Sequence, residues 1–369
     1  MSAIRLAVIG AGHLGRIHAR IAAGLEDVEL VAVAEPVAEC RDLVAAETGV
    51  RTVEDYRELI GEIDAAIVAT PTSTHHTIGV ELLSSGLPLL VEKPLASNSE
   101  AADELVSLAR KQGLVLVVGH VERFNPALAW VASEVRDPKY IEATRASGYS
   151  FRSTDIGVVL DMMIHDLDVA LALANSTVTG VEALGISVLG GHEDLATARL
   201  TFASGCVVQL TASRVSPEQR RTMNIFTSRS AASIDFATQS ASLVKPREDV
   251  LRRKFQVNRL TADERTYWKA RMFDELLVRT HHQAAKVNAI EQEQLDFVAA
   301  IQTGKTPRVD GAAGRDAIAV AEKILARIEE HGWDGTPAGR HGPLAMPALP
   351  IQPAAARWRD DAPPRRRAG

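Results

Sequence analysis

The stretch Gly10-Ala11-Gly12-His13-Leu14-Gly15 decides the fold of this chain. It follows an apolar run and opens a segment with helical spacing, the order of a strand, a glycine turn and a helix that bind a dinucleotide. Gly10 permits the tight turn, Gly12 lets the backbone approach a pyrophosphate, and Gly15 lets the helix pack closely. His13 and Leu14 begin the helix, whose free N–H groups and dipole favour an anion. The stretch therefore predicts a cofactor-binding βαβ unit.

Glu35 closes the second apolar run and lies twenty residues after Gly15. A carboxylate at this position accepts hydrogen bonds from the adenosine ribose hydroxyls and repels the 2′-phosphate of NADP. NAD is therefore the predicted cofactor. NADP is the less favoured alternative, because Arg41 is close enough in sequence to offer a phosphate its charge.

Short apolar runs alternate with amphipathic stretches throughout the first third of the chain. The runs are residues 4–9, 29–34, 65–69, 89–91 and 114–118, and the helical patterns are residues 13–23, 37–47, 74–85 and 99–111. Near-continuous Val, Ile, Leu and Ala is typical of strands buried on both faces, as in a parallel sheet covered by helices. Residues 1–120 are therefore predicted to form an α/β domain, a Rossmann domain with a doubly wound parallel sheet.

The pattern changes after residue 120 to runs in which polar and apolar residues alternate, which is typical of half-exposed antiparallel strands. These runs are residues 140–147, 179–189, 196–202, 207–213, 221–227 and 232–236, and helical patterns occupy residues 159–173, 291–303 and 314–330. Residues 245–290 give no clear pattern. Residues 121–332 are predicted to form an α+β domain with an open, mostly antiparallel sheet. The Pro- and Arg-rich residues 333–369 are predicted to be a disordered tail.

Composition excludes several classes of protein. A chain of 369 residues with 46% hydrophobic residues suits two globular domains. A formal charge of −6 supplies no basic field for nucleic acid or anionic lipid. The two cysteines, Cys40 and Cys206, are too few for a disulfide framework, and no apolar run reaches membrane-spanning length. We expect a soluble cytoplasmic protein that acts on a small molecule, without a nucleic-acid or membrane partner.

Two predicted strand ends carry polar side chains where an open parallel sheet binds its ligands. Thr70 and Pro71 follow one strand, with His75 in the next helix, and Glu92 and Lys93 follow another. We expect these residues to flank the nicotinamide half of the cofactor, with Lys93 favouring the alkoxide of a substrate hydroxyl. The alternatives are that Glu92 and Lys93 are ordinary strand-end residues and that His75 faces water.

Asp161 and His165 are predicted to share one face of the helix over residues 159–173, one turn apart. A neutral histidine there accepts the hydroxyl proton as hydride leaves the same carbon, while Lys93 stabilises the negative charge on oxygen. Asp161 binds a neighbouring hydroxyl or orients the site, and Asp168 lies on nearly the same face. The alternative is a satisfied histidine in an apolar helix. One Asp and one His supply only two ligands, so no metal is predicted.

These motifs together resemble the glucose–fructose oxidoreductase, inositol dehydrogenase and MocA family (Gfo/Idh/MocA), over roughly residues 3–330. They are the glycine loop, Ala69-Thr70-Pro71, Glu92-Lys93-Pro94 and the Asp161-to-His165 spacing. The resemblance implies an NAD(P)-dependent oxidoreductase acting on a CH–OH group, with Lys93, Asp161 and His165 in the catalytic site. It also implies a homo-oligomer, a dimer or tetramer, built through the second domain. The family often has Asn where this chain has Thr72.

Residues 119–126, Gly-His-Val-Glu-Arg-Phe-Asn-Pro, resemble a segment of the family members that oxidise UDP-N-acetylglucosamine at its 3-hydroxyl. Arg123 and Asn125 offer donors for phosphate or acetamido oxygen, although a structural helix start is the alternative, and Arg152 is a further candidate diphosphate partner. The predicted function is NAD-dependent oxidation of a nucleotide sugar. Oxidation of a free polyol such as myo-inositol is the alternative within the family, and a non-catalytic NAD-binding regulator or scaffold is the alternative of another class.

Overall fold

A computed structural model describes residues 3–151, 156–189, 191–333 and 339–345. The strands of the first sheet are β1 (Ile4–Ile9), β2 (Val28–Ala34), β3 (Arg51–Val53), β4 (Ala65–Val68), β5 (Leu89–Glu92) and β6 (Leu116–Gly119). They are all parallel and lie in the order β3-β2-β1-β4-β5-β6. This is the dinucleotide-binding order, so the predicted Rossmann sheet is confirmed. The five predicted strands are all present, and β3 is an additional edge strand.

Four helices cross between these strands, as the sequence predicts. They are α1 (His13–Ala22), α2 (Ala38–Thr48), α3 (Thr72–Ser84) and α4 (Ser99–Gln112). The central strands β4 and β5 are buried along their whole length, because helices cover both faces of the sheet. Their carboxyl ends carry the loops that begin at Ala69 and Lys93.

The second sheet is open and mostly antiparallel, as predicted. Its strands are β7 (Tyr140–Ala146), β8 (Val178–Ile186), β9 (Leu195–Phe202), β10 (Val207–Ser213), β11 (Arg220–Phe226), β12 (Ala231–Asp235), β13 (Ser240–Pro246) and β14 (Leu277–Gln283). Their order is β14-β13-β12-β11-β7-β10-β9-β8, and within the described part of this second sheet only β7 and β10 pair in parallel. The strands β13 and β14 extend the sheet into the segment whose sequence gives no clear pattern.

The helices of the second half are α5 (Pro126–Glu134), α6 (Ile164–Ala174), α7 (Glu248–Leu251), α8 (Ala262–Ala270), α9 (Ala289–Thr303) and α10 (Gly311–Glu330). Short 3-10 turns span Tyr56–Leu59, Val121–Phe124 and Val257–Arg259, and π turns span Val159–Met163 and Met272–Leu276. The helix predicted over residues 159–173 therefore begins with a π turn, which the apolar spacing does not reveal. None of the described helices has the length and hydropathy needed to cross a bilayer.

The last two helices connect the two halves of the molecule. Phe297 and Val298 of α9 are buried in the core of the first sheet, beside Ala19 of α1. In α10, Ile318 packs in a first-domain core cluster, whereas Ile324 packs under the second sheet. The first sheet ends at Gly119 and the second begins at Tyr140, but α9 returns to cover the first of them.

Part of the stretch predicted to be a disordered tail is folded. Trp333 Nε1 donates a hydrogen bond to the Gly342 carbonyl (3.1 Å), and Ser187 N donates one to the Pro343 carbonyl (3.0 Å). The prediction is therefore wrong for residues 339–345, because Trp333 and the neighbouring backbone give them an anchor. Residues 334–338 and 346–369, which the same prediction covers, lie outside the described residues.

Candidate active site

A cleft of about 1170 Å³ lies at the carboxyl ends of the first-sheet strands, between the two domains. On the first domain it is lined by the glycine loop, Glu35, the Thr70-Pro71 turn and Lys93. On the second domain it is lined by Asp161 and Arg221. The cleft is therefore where an open parallel sheet is expected to bind its ligand.

The glycine loop has the geometry that its sequence predicts. Gly10 adopts φ +99, and a Cβ at this position would lie 2.7 Å from the Ala69 carbonyl oxygen. A Cβ on Gly15 would lie 1.9 Å from the Gly10 carbonyl oxygen, so only glycine fits. Gly12 has no described atom within 4 Å of its Cβ position and lines the cleft, as do His13 and Leu14. The open cradle at the start of α1 fits a pyrophosphate.

Glu35 stands on the cleft wall at the end of β2. Its carboxylate accepts hydrogen bonds from the backbone N–H groups of Ala11 (2.8 Å) and Val37 (3.0 Å), which fixes its direction. Arg41 is the cation that could pair with the 2′-phosphate of NADP. Its guanidinium donates to the Glu35 carbonyl oxygen (2.6 Å) and lies 3.9 Å from the Glu54 carboxylate. Arg41 is thus held by acceptors of the protein, which favours NAD over NADP.

Lys93 connects the two domains at the other end of the cleft. Its Nζ donates to the backbone oxygen of Asp161 (2.7 Å) and to the Asp161 carboxylate (3.2 Å), and its side chain is only 13% exposed. Asp161 lies in the π turn before α6, and π turns often mark functional sites. The structure therefore brings these two predicted site residues into direct contact.

His165 is the second residue of α6; it is half-buried and, unlike Lys93 and Asp161, is not among the residues that line the cleft. Burial and the nearby Lys93 charge hold the pKa of His165 well below its ordinary value. The imidazole is therefore neutral at physiological pH and able to accept a proton. The π turn before His165 replaces the simple one-turn helical relation that the sequence predicts. Asp161 contacts Lys93 directly, whereas His165 is reached by the Lys93 charge without a described contact.

Arg221 is a site residue that sequence reasoning missed. It lines the cleft from β11, and it lies directly opposite Arg145 of β7 in the strand register. Arg145 is neutralised by two buried carboxylates, whereas Arg221 has no side-chain partner in the described part of the chain. Its charge is among the causes of the low pKa of His165. An unpaired guanidinium next to the base attracts an anionic ligand group.

Two family models match the chain in sequence. The Oxidoreductase family, NAD-binding Rossmann fold, covers residues 4–120, and the GFO/IDH/MocA C-terminal domain covers residues 127–233. The chain belongs to the GFO/IDH/MocA family of oxidoreductases. NAD is accordingly the cofactor of its Rossmann domain.

Several curated relatives are dehydrogenases. The chain is 34% identical over 327 residues to the UDP-N-acetylglucosamine 3-dehydrogenase of Acidithiobacillus ferrooxidans. This match covers 88% of this chain and 97% of that protein. A solved structure of that enzyme superposes with a TM-score of 0.78, covering 89% of this chain and 99% of that one. The scyllo-inositol 2-dehydrogenase (NAD(+)) of Bacillus subtilis is 32% identical over 233 residues, 58% of this chain and 68% of that enzyme.

In this family member, Glu92 lies beneath Lys93 and does not line the cleft. Its carboxylate is paired with His18 Nε2 (2.8 Å) and accepts a hydrogen bond from the Lys93 backbone N–H (3.1 Å). The predicted cofactor contact of Glu92 is therefore not supported, because a buried carboxylate needs these partners. Its place under Lys93 supports a positioning role.

His75 is likewise buried and does not line the cleft. Its ring nitrogens lie 2.9 Å from the carbonyl oxygens of Pro94 and Thr70, so the ring ties together the two loops of the nicotinamide end. Neither the predicted cofactor contact nor the water-facing alternative is supported. Burial lowers the pKa of His75. Thr70 and Pro71 themselves line the cleft, as predicted.

One group of potential metal ligands occurs among the described residues: His18, Glu92 and Glu293, whose ligand atoms lie within 4.8 Å of one another. Both ring nitrogens of His18 are already hydrogen-bonded, one to Glu92 and the other to Gln294 Nε2 (2.9 Å). Burial and the nearby Glu92 charge raise the pKa of Glu293 well above its ordinary value, which favours a neutral acid. His18 and Glu92 are best interpreted as a hydrogen-bonded pair in the core beneath Lys93, whereas neither carboxyl oxygen of Glu293 has a hydrogen-bond partner among the described residues.

Arg123 is engaged at the domain junction and does not line the cleft. Its guanidinium donates to Asp168 Oδ1 (3.3 Å) and to the Arg308 carbonyl oxygen (3.4 Å). Asp168 is buried beside it. The predicted substrate contact of Arg123 is thus not supported, and Arg152, the other candidate diphosphate partner, lies outside the described residues.

Asn125 has the structural role that sequence reasoning kept as an alternative. It is only 3% exposed, and its side-chain oxygen accepts a hydrogen bond from the Ala127 N–H, which caps α5. Its amide donates to the Phe236 carbonyl oxygen (3.1 Å). Asn125 therefore fixes the start of the second domain and does not reach the substrate cleft.

Proposed function

We propose that this protein oxidises the 3-hydroxyl of a nucleotide sugar of the UDP-N-acetylglucosamine type, with NAD as cofactor. The Acidithiobacillus relative supports this substrate, because the match extends over nearly all of that enzyme. The observation that carries the proposal is Arg221, a cation that lines the cleft without a described partner beside Lys93 and Asp161. A diphosphate supplies the negative charge with which this guanidinium can pair.

The chemistry follows from three side chains. His165 accepts the hydroxyl proton, because burial and the Lys93 charge lower its pKa and keep its imidazole neutral. Lys93 stabilises the negative charge that develops on the oxygen, and Asp161 holds Lys93 in place and binds a neighbouring hydroxyl. NAD+, when bound, supplies the hydride acceptor.

Oxidation of a free polyol is the second candidate, since scyllo-inositol dehydrogenase is also a relative. A polyol has no anionic group for Arg221, whereas a nucleotide sugar has two phosphates. The two candidates therefore differ in what Arg221 contributes to binding. The third candidate, a regulator without turnover, gives no reason for the contact between Lys93 and Asp161.

NADH formation with UDP-N-acetylglucosamine and with myo-inositol tests the substrate. We expect turnover of the nucleotide sugar. We expect Arg221→Gln to raise the KM for the nucleotide sugar by about 10- to 100-fold, because a hydrogen bond to a charged group contributes roughly 1.5–3 kcal/mol. Arg220→Gln is the matched control, because Arg220 is exposed and paired only with Glu218. Turnover of the polyol alone, or an unchanged KM in Arg221→Gln, would contradict the proposal.

We propose that the protein is a homo-oligomer and that residues 247–276, here called the arm, contact a second copy. Within the described residues, α7 and α8 bury none of their side chains. Tyr267 and Phe273 are 43% and 51% exposed. A nine-residue helix is not stable without packing, so the arm needs a partner surface.

Light scattering of the full chain is expected to give the mass of a dimer or tetramer, and the double variant Tyr267→Ser, Phe273→Ser is expected to give a smaller one. Val188→Ser is the control, because Val188 is 58% exposed, more than either arm residue, but lies outside the arm. A monomeric parent chain, or an unchanged mass in the double variant, would rule the interface out.

We also propose that the protein works in the cytoplasm. Cys40 and Cys206 are both free, and Cys206 is buried. Unpaired thiols are typical of a reducing compartment.

A further inference from the structure

Gln294 of α9 directs both of its side-chain N–H groups at one residue, His18 of α1. Its Nε2 lies 2.9 Å from His18 Nδ1 and 3.2 Å from the His18 carbonyl oxygen. The side-chain oxygen of Gln294 has no hydrogen-bond partner among the described residues, although Gln294 is only 1% exposed. An unpaired buried amide oxygen costs free energy, so the orientation of this amide needs an explanation.

The two contacts of Gln294 determine which ring nitrogen of His18 carries the proton. A carbonyl oxygen only accepts hydrogen bonds, so the Gln294 atom beside the His18 carbonyl is the NH2 group. His18 Nδ1 accepts a hydrogen bond from the same NH2 group and therefore has no proton of its own. The ring proton lies on Nε2, which donates to Glu92 Oε1 at 2.8 Å.

The Nε2–H donor of His18 favours the carboxylate form of Glu92. Burial raises the pKa of Glu92, but the hydrogen bond from His18 and the Lys93 charge outweigh this effect, and the pKa is lowered. Glu293 has a ligand oxygen within 4.8 Å of those of His18 and Glu92, and its raised pKa favours the neutral acid. The negative charge of this buried group therefore belongs to Glu92.

Glu92 in turn fixes the backbone from which the Lys93 side chain starts. Its Oε2 accepts a hydrogen bond from the Lys93 N–H at 3.1 Å. A Cβ on Gly119 of β6 would lie only 2.8 Å from this Oε2, so the carboxylate is also confined by the neighbouring strand. Lys93 Nζ then donates to Asp161. The contacts form one continuous series, which runs through Gln294, His18, Glu92 and Lys93.

We propose that Gln294 is a positioning residue for the oxidation: it sets the His18 tautomer, and through it the carboxylate that orients Lys93. This inference rests on the proposed function, in which Lys93 stabilises the charge on the substrate oxygen. Gln294 and His18 do not line the cleft, so Gln294 acts on the reaction through Glu92 and Lys93.

The variant Gln294→Leu keeps nearly the same volume and removes both N–H donors. A reacting group displaced by about 1 Å can cost about 10²-fold in rate, and we expect the smaller shift here to lower kcat about tenfold. The KM values for NAD and for the alcohol are expected to change less than about twofold. With an alcohol deuterated at the oxidised carbon, the isotope effect on kcat is expected to rise, because the hydride step becomes slower relative to product release.

A double-mutant cycle tests whether Gln294 acts through His18. His18→Phe removes the donor to Glu92 and is expected to lower kcat at least as much as Gln294→Leu. The double variant is expected to be no slower than His18→Phe alone, because the two residues belong to one series of contacts. Gln294→Met, which also lacks the donors, replaces Gln294→Leu in the cycle if the leucine variant does not fold.

Val298→Ala is the matched control for stability. Val298 is a buried side chain of the same helix, only 4% exposed, and it has no part in the series of hydrogen bonds. This variant is expected to melt at a lower temperature and to keep the parent kcat and isotope effect. Gln292→Leu, at an exposed glutamine two residues before Gln294, is expected to change neither quantity.

An unchanged kcat in Gln294→Leu, or losses that multiply in the double variant, would overturn the proposal. A rise of the isotope effect in Val298→Ala equal to that in Gln294→Leu would also overturn it, because loss of helix stability would then explain both. The assay uses whichever alcohol the parent enzyme oxidises, so an error in the substrate proposal does not affect it. Full activity of Lys93→Met would instead refute the proposed chemistry, since that variant leaves Gln294 and His18 in place.

Discussion

Replacing Lys93 by Met is expected to lower kcat by about 10²- to 10³-fold, because a charge that stabilises a developing oxyanion contributes about 2.7–4 kcal/mol to the transition state. Met fills nearly the same volume as Lys and leaves no cavity, so the loss reports the ammonium group. The structure ties that group to Asp161 by two contacts, and the variant therefore also frees the Asp161 carboxylate.

The measurement is kcat at saturating NAD and sugar nucleotide, together with NADH binding by fluorescence. NADH binding is expected to stay within a few-fold of the parent value. Lys111→Met, an exposed lysine at the end of α4, is the control and should be kinetically silent. A loss of less than about tenfold would show that Lys93 is not an essential part of the reaction centre.

Replacing Arg145 by Met is expected to lower the free energy of unfolding by about 3–5 kcal/mol, the cost of breaking a buried ion pair. Arg145 is only 4% exposed and donates to both oxygens of Asp166 and to Glu122. Without it, two carboxylates are left buried beside the catalytic helix. Burial already raises the pKa of Asp166 while Arg145 opposes that rise.

Urea unfolding followed by circular dichroism measures this difference. Arg199→Met is the control, because Arg199 is half-exposed and its 3.8 Å pair with Glu182 lies at the surface. Exposed pairs of this kind contribute less than about 1 kcal/mol. Equal unfolding free energies for the two variants would mean that the Arg145 network does not hold α6 in place.

Much of the fold was predictable because the spacing of apolar residues indicates where its strands and helices lie. The strands β4 and β5 are continuous buried runs, β1 is buried except at Arg5, and the glycine loop fixes the first turn. Two of the strands that the sequence does not predict have too little buried apolar surface to give a pattern. The strand β3 has three residues and buries only Val53, and β14 is not buried on either face, so neither has an apolar period to detect.

The candidate site was predictable in position but less so in detail. Sequence placed Lys93 and Asp161 in the cleft, where they meet, yet it also placed Glu92 and His75 there, which point inward. A strand-end motif gives the location of a side chain but not which side of the sheet end it faces. The partners of Glu92 are distant in sequence, and His18 is one of them.

Arg145 and Arg221 each stand at an apolar position of a strand, a pattern from which their roles could have been predicted. Arg221 shares the phase of Met223 and Ile225 in β11, both of which are buried. Arg145 likewise stands in phase with buried Ile141 in β7. A cation in the apolar phase of a strand is expected to pair inside the protein or to bind a ligand. Arg145 is paired inside the protein, and Arg221 lines the cleft.

The return of α9 to the first domain constrains how such a gene can be rearranged. A recombination that exchanged only residues 1–120 for another nucleotide-binding unit would keep Phe297 and Val298 but lose the surface they fill. It would also separate Gln294 from His18, whose pairing with Glu92 lies directly beneath Lys93. Residues 1–120 and α9 are therefore expected to be inherited together. The evolutionary unit is then discontinuous in sequence, although the two sheets follow one another along the chain.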